Sequence, residues 1–257
     1  MSEFWRTAIS QVLPNEILVR GYPIEQLTRQ CLFGDVVYLL LTGELPRGKE
    51  GRLVEAILVS CCEHSLASPS VDAVRFVASS GVPLQTAVAA GVSAIGDVHG
   101  GAMEPCAEIL LSAVAASLEP SIVFAQLKAQ KRRLPGYGHP VHTDDPRVKV
   151  LFALAESWSL IGPHTLFAKR LEQASEENIG RHLNLNVDGA IAALLCDLGI
   201  DPRLGKTFFI VARCAGYAAH AHEQTTRERP FKAPEPKEIT YTGPARRDVV
   251  GAGTTSQ

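Results

Sequence analysis

Apolar residues recur at helical spacing along most of this chain, and short stretches carrying glycine or proline interrupt them. No run of alternating polar and apolar residues stands out as a half-buried strand. The pattern predicts an all-α protein with helices over 24–31, 34–42, 49–64, 70–79, 84–95, 102–118, 121–131, 146–159, 163–174, 189–198 and 205–224. Thr42-Gly43 and Leu198-Gly199 read as glycine stops, and Leu45-Pro46 forces an extended exit. From Lys232 the chain is rich in proline, glycine and polar residues and is expected to wrap a surface and fray at its end.

Composition removes several function classes. With 46% hydrophobic and 20% charged residues, the bulk of the chain is not disordered. The 257 residues suffice for one large domain or two smaller ones. The net charge of −2 argues against a nucleic-acid partner, and 6% aromatic residues argue against a base-stacking platform. The best apolar stretch, 82–95, carries Gln85 and falls short of the ~20 residues a membrane span needs. Residues 1–6 lack a basic region followed by an apolar one, so no signal peptide is visible and a cytoplasmic location is expected. Cys31, Cys61, Cys62, Cys106, Cys196 and Cys214 form no C-x-x-C pair and read as reduced core residues.

Several motifs are decoys. Gly91-Val92-Ser93-Ala94-Ile95 lacks the final glycine of a nucleophile elbow and lies in mid-helix. Gly136-Tyr137-Gly138 lacks the third glycine of a dinucleotide loop. His220 and His222 are ~200° apart on a helix and cannot share a face. No H-E-x-x-H occurs, and no metal is expected.

Four polar insertions interrupt the apolar pattern. In Gly96-Asp97-Val98-His99-Gly100-Gly101 a helix stops, presents a histidine and restarts, either as a tight turn or as a site where backbone approaches a ligand. In 134–147, Asp145 suits an N-cap and Pro146 a first helical position. Arg147 then falls in a first helical turn, where a cation needs an anionic partner: a carboxylate ligand or Asp144. Upstream, Lys131-Arg132-Arg133 is either a phosphate contact or a solvated basic cluster. In Asn184-Leu185-Asn186-Val187-Asp188-Gly189, Asp188 is either a plain N-cap or a functional carboxylate. In helix 205–224, Arg213 is seven residues before His220 on one face and needs a carboxylate partner. A weaker fifth candidate is His64, which periodicity puts on a core-facing stripe, as a core histidine or a ligand contact.

One carboxylate with several histidines and arginines, and no activated serine or cysteine, suits proton abstraction beside a carbonyl. The carboxylate takes the carbon-bound proton, a neutral donor stabilises the enolate, and arginines hold carboxylates bidentately. The stretches 96–102, 135–147, Asn186-Val187-Asp188, Ala212-Arg213-Cys214-Ala215-Gly216, Arg229-Pro230 and Tyr241-Thr242-Gly243-Pro244 occur in the order of the citrate synthase family. The chain resembles that family, which includes the citryl-CoA lyases, over nearly its whole length.

The resemblance implies an all-α fold with a large helical domain, 1–102 and 200–257, and a smaller inserted domain, 103–199. It implies that Asp188 is the base for the methyl group of acetyl-CoA, that His99 stabilises the enol, and that His139 binds and protonates the keto oxygen of oxaloacetate. His64, Arg147 and Arg213 match substrate-binding residues, and Arg229 matches an arginine that reaches across a dimer interface. Pro135, Gly136, Tyr137 and Gly138 match the loop that wraps the CoA adenine. It implies no permanently bound cofactor, a coenzyme A thioester as substrate and a homodimer or higher oligomer. The part before His99 is shorter than in the usual synthases, and the Asn186–Gly189 stretch is similar to the citryl-CoA lyase module of ATP citrate lyase. The leading expectation is a citrate synthase-type acyltransferase. The alternatives are a citryl-CoA lyase, which shares the aldol residues, and a non-catalytic helical protein that binds CoA or a dicarboxylate.

Overall fold

The computed structural model describes residues 4–138 and 142–247. It is mostly helical, with eleven α-helices among the described residues. It also contains a small antiparallel meander that periodicity does not reveal: β1 (Ser10–Leu13), β2 (Glu16–Val19) and β3 (Tyr22–Pro23). These strands are short and largely exposed, so they bury no face and leave no alternating signature. Their turns carry the signal instead. Pro14-Asn15 links Leu13 to Glu16 with Asn15 at φ 62°, and Arg20-Gly21 links Val19 to Tyr22 with both residues at positive φ.

The helices are α1 (Ile24–Gln30), α2 (Phe33–Thr42), α3 (Glu50–Cys61), α4 (Pro69–Ser79), α5 (Leu84–Ser93) and α6 (Met103–Ala115). They continue as α7 (Pro120–Ala129), α8 (Pro146–Ser157), α9 (Pro163–Ile179), α10 (Val187–Asp197) and α11 (Gly205–Arg227). The Thr42-Gly43 stop is real, with Gly43 in the left-handed region at φ 94°. Two ends differ from the periodic reading in ways that matter. The third helix stops at Cys61 rather than at residue 64, because the chain turns and puts His64 in the turn. The ninth runs on to Ile179, where Gly180 at φ 71° ends it.

Helix α10 is the centre. Gly189 to Cys196 are all buried, and α6, α8, α9 and α11 pack around it. A helix apolar on every side belongs in the middle of a bundle. The main core joins Leu53 and Ile57 of α3, Leu110 of α6, Ile191 of α10 and Phe208 of α11. A smaller core, built by Val71, Val74, Ala87 and Tyr217, seats the α4–α5 hairpin on α11. No helix among the described residues is long and apolar enough to cross a membrane.

Candidate active site

A cleft of about 280 Å³ opens where the turn after α3, the loop before α6 and the N-termini of α8 and α10 face α11. Its walls include His64, His99, Arg147, Asp188 and Arg213. Five residues singled out from five separate stretches of sequence thus converge.

Arg213 comes from the middle of α11 and is 2% exposed. Its Nε donates to the Cys61 carbonyl at 2.8 Å, and its guanidinium lies 4.4 Å from the centre of the Phe209 ring. Nη1 is buried and has no hydrogen-bond partner, and no carboxylate pairs with Arg213 among the described residues. A buried guanidinium in this state leaves a strong site for an anion entering the cleft.

His99 is held from two sides. Its backbone closes a tight bridge with Gly96, with N–H···O distances of 2.9 and 3.1 Å. Its Nε2 meets Ser70 Oγ at 2.8 Å, and its ring stands edge-on to Phe209 with centres 5.7 Å apart. Burial, then the charges of Arg213 and His64, hold its pKa below the ordinary imidazole value. His64 is likewise lowered by burial and by Arg147, and its ring lies edge-on to His142 at 5.8 Å. His64 is therefore a cleft residue and not the core histidine that its helical phase suggested.

Two helix N-termini supply the carboxylate chemistry. At α8, Asp145 is the N-cap and accepts from the Arg147 backbone at 3.1 Å. The same carboxylate grips the Arg147 guanidinium at 2.9 and 2.7 Å, so the partner of Arg147 is Asp145 and not Asp144, which pairs with Lys149. At α10 the N-cap is Asn186, whose side chain accepts from Gly189 N at 3.2 Å. That leaves Asp188 in the first turn with no capping duty, and among the described residues its carboxylate accepts no hydrogen bond. Burial raises its pKa above the usual carboxylate value, with Arg147 and Arg213 opposing and Asp145 adding to the rise.

The loop carrying Pro135 to Gly138 lies against the start of α10. Asn186 N donates to Gly136 O at 3.0 Å, Asn186 Nδ2 to Gly138 O at 2.7 Å, and Gly138 N to Asn184 O at 2.7 Å. Gly136 sits at φ 81°, and a Cβ there would lie 2.6 Å from the Gly189 Cα. Tyr137 is buried, its hydroxyl donating to Ala168 O at 2.9 Å, so its side chain anchors the loop. Beyond Gly138 a second cavity of about 620 Å³ is lined by Lys128, Arg132, Arg133 and Arg181. None of these four forms an ion pair among the described residues. Gly138 borders both cavities.

One candidate falls outside the described residues, and another lies away from the cleft. His139 lies outside the described residues. Arg229 is exposed beyond the end of α11, with only its carbonyl engaged, by Gln224 Nε2 at 3.1 Å. Sequence reasoning missed Ser70 and Phe209, which meet His99 from far off along the chain. A buried serine in the first turn of α4 carries no signal of its own.

A family model described as citrate synthase, C-terminal domain, matches residues 3–53 and 47–233. The chain is 32% identical over 206 residues to the glyoxysomal citrate synthase of Cucurbita maxima, covering 77% of this chain and 39% of that protein. It is 30% identical over 234 residues to the citrate/2-methylcitrate synthase of Bacillus subtilis (strain 168), covering 89% of this chain and 60% of that protein. It therefore spans less than two thirds of the length of either relative. The structure of citryl-CoA lyase from Hydrogenobacter thermophilus superimposes with a TM-score of 0.91 at 39% identity, covering 96% of this chain and 98% of that one. On the family match, the helical fold and the shared order of motifs, this chain belongs to the citrate synthase family.

Proposed function

We propose that this chain cleaves citryl-CoA into acetyl-CoA and oxaloacetate, and joins them in the reverse sense, through the enol of acetyl-CoA. The observation that carries this reading is one cleft holding a carboxylate of raised pKa, a neutral imidazole and a buried arginine without a carboxylate partner. Arg213, His64 and Arg147 hold the dicarboxylate end of the substrate. When the carbon–carbon bond breaks, electrons collect on the thioester oxygen, where His99 donates a hydrogen bond. With the Ser70 hydroxyl, 2.8 Å away, taken as donor to His99 Nε2, the imidazole keeps its proton on Nδ1 for that oxygen. Asp188 delivers its proton to the enol carbon, and takes it back in the condensation direction. A raised pKa suits both duties. His139 exchanges the proton of the substrate hydroxyl, a role that rests on the family resemblance.

Coenzyme A fits the second cavity, with its phosphates among Lys128, Arg132, Arg133 and Arg181 and its thioester arm passing Gly138. The unit 103–199 acts as the closing domain, and the protein works as a homodimer or higher oligomer in which Arg229 serves a neighbouring copy.

The end-to-end match to a citryl-CoA lyase puts cleavage without hydrolysis first. The matches to citrate synthases favour a second reading, in which the citryl thioester is hydrolysed. Incubation with citryl-CoA separates them. Acetyl-CoA plus oxaloacetate is the expected product pair, whereas citrate plus free CoA identifies a synthase. If neither appears, and deuterium does not exchange into the methyl group of acetyl-CoA, the protein is a binder and the proposal falls.

A further inference from the structure

The turn after α3 is bent by one carboxylate. Glu63 Oε1 accepts the backbone N–H of His64 at 2.8 Å and of Ser65 at 2.5 Å. Ser65 sits at φ 62°, a conformation disfavoured for any residue with a Cβ, and these two bonds hold it there. The same oxygen meets His220 Nε2 at 3.1 Å. The other ring nitrogen of His220 is buried and has no hydrogen-bond partner, so the polar contact of this ring is directed to Glu63.

His220 lies on α11 two turns beyond Arg213, on the same face. Between them is Gly216, where a Cβ would fall on Glu63 Oε2 and 2.5 Å from the Cys62 carbonyl. The turn and the helix thus touch through bare backbone. Burial acts to raise the Glu63 pKa, but His220 and the two amides outweigh it and hold the carboxyl below its usual value. Glu63 is therefore an anion at neutral pH.

We propose that Glu63 and His220 are positioning residues that clamp the Cys62–Ser65 turn onto α11, so that His64 and Arg213 keep one fixed spacing across the cleft. The inference rests on the reading of His64 and Arg213 as contacts of the dicarboxylate end of the substrate. Neither residue of the clamp needs to touch substrate.

The test uses the full-length protein with His220→Leu, Gly216→Ala and His220→Gln, the last keeping a side-chain N–H for the carboxylate. The first two should raise the citryl-CoA KM and the oxaloacetate Kd roughly tenfold while kcat changes less than about twofold. His220→Gln should restore most of the affinity. A role in folding alone would lower the melting temperature or the active fraction and leave KM in place, which would overturn the clamp.

A second readout does not depend on activity. The Ser65 amide, which donates to the Glu63 carboxylate, should resonate downfield of its free-chain position, and His220→Leu and Gly216→Ala should move it upfield. If the wild-type protein neither turns over citryl-CoA nor binds oxaloacetate, the functional reading fails and this resonance alone decides the clamp. A resonance that stays in place in both variants overturns it.

Discussion

Asp145 and Asp188 stand at the N-termini of neighbouring helices and take opposite paths. Asp145 caps its own helix, grips Arg147 and also accepts from Val187 N at 3.2 Å, the first residue of the other helix. Burial alone would raise its pKa, but Arg147 and the backbone donors bring it below the usual range. Asp188 is two residues beyond an equivalent cap that Asn186 occupies instead, and burial raises its pKa. A carboxylate excused from capping is thus left buried and open to the cleft, as the proposed role of Asp188 requires. One asparagine at the cap of α10 makes the distinction, and Asp145 ties the two helix starts together so that Asp188 faces the cleft.

Substitution at either carboxylate separates their roles. The largest effect is expected from Asp188→Asn, which should cut turnover by about 10³-fold while leaving oxaloacetate binding close to wild type. Its stability should move the other way. A carboxyl with raised folded pKa penalises the native state at every pH above that value. The variant should therefore melt higher than wild type at pH 7, with the gap closing as pH falls through the raised pKa. Near wild-type turnover in steady-state kinetics would remove Asp188 from the reaction.

Asp145→Ala should act chiefly on stability, by roughly 3 kcal/mol, because it strands a guanidinium and a backbone N–H together. The lowered pKa of Asp145 means that its contribution is present above the ordinary carboxylate pKa and is lost as pH falls through the folded value. Denaturant melts of wild type and variant should therefore converge in acid. The smallest effect belongs to Asn186→Ala, which removes a cap worth about 1 kcal/mol and the bond to Gly138. If the citryl-CoA KM rises along with that loss of stability, the cap also sets the loop.

Much of this was legible in the sequence, for identifiable reasons. Arg213 announces itself because a guanidinium amid Ala, Cys and Val has few ways to be satisfied, and it lines the cleft as that logic requires. Most helices follow from period, since they bury a stripe, whereas α10 follows from an unbroken apolar run. Ser70 and Phe209 do not show, because both bear on His99, which is many residues away from either. Asp144 and Asp145 are indistinguishable by adjacency, and only the cap geometry selects Asp145. The N-terminal meander escapes because its strands bury nothing, although Pro14-Asn15 and Arg20-Gly21 mark its turns. His64 was placed by a helical phase that ends three residues too soon.

The contact between Gly136 and Gly189 has a consequence for how such an enzyme can vary. The loop proposed to carry the thioester and the helix that carries Asp188 meet there through bare backbone, too close for any Cβ on either side. Their spacing is written in van der Waals radii, which neither salt nor pH can screen or titrate. Changing the charges of Lys128, Arg132, Arg133 and Arg181 would therefore alter the proposed grip on phosphate without moving the loop relative to the helix that carries Asp188. The two cavities share a border at Gly138, and their walls still answer to different forces.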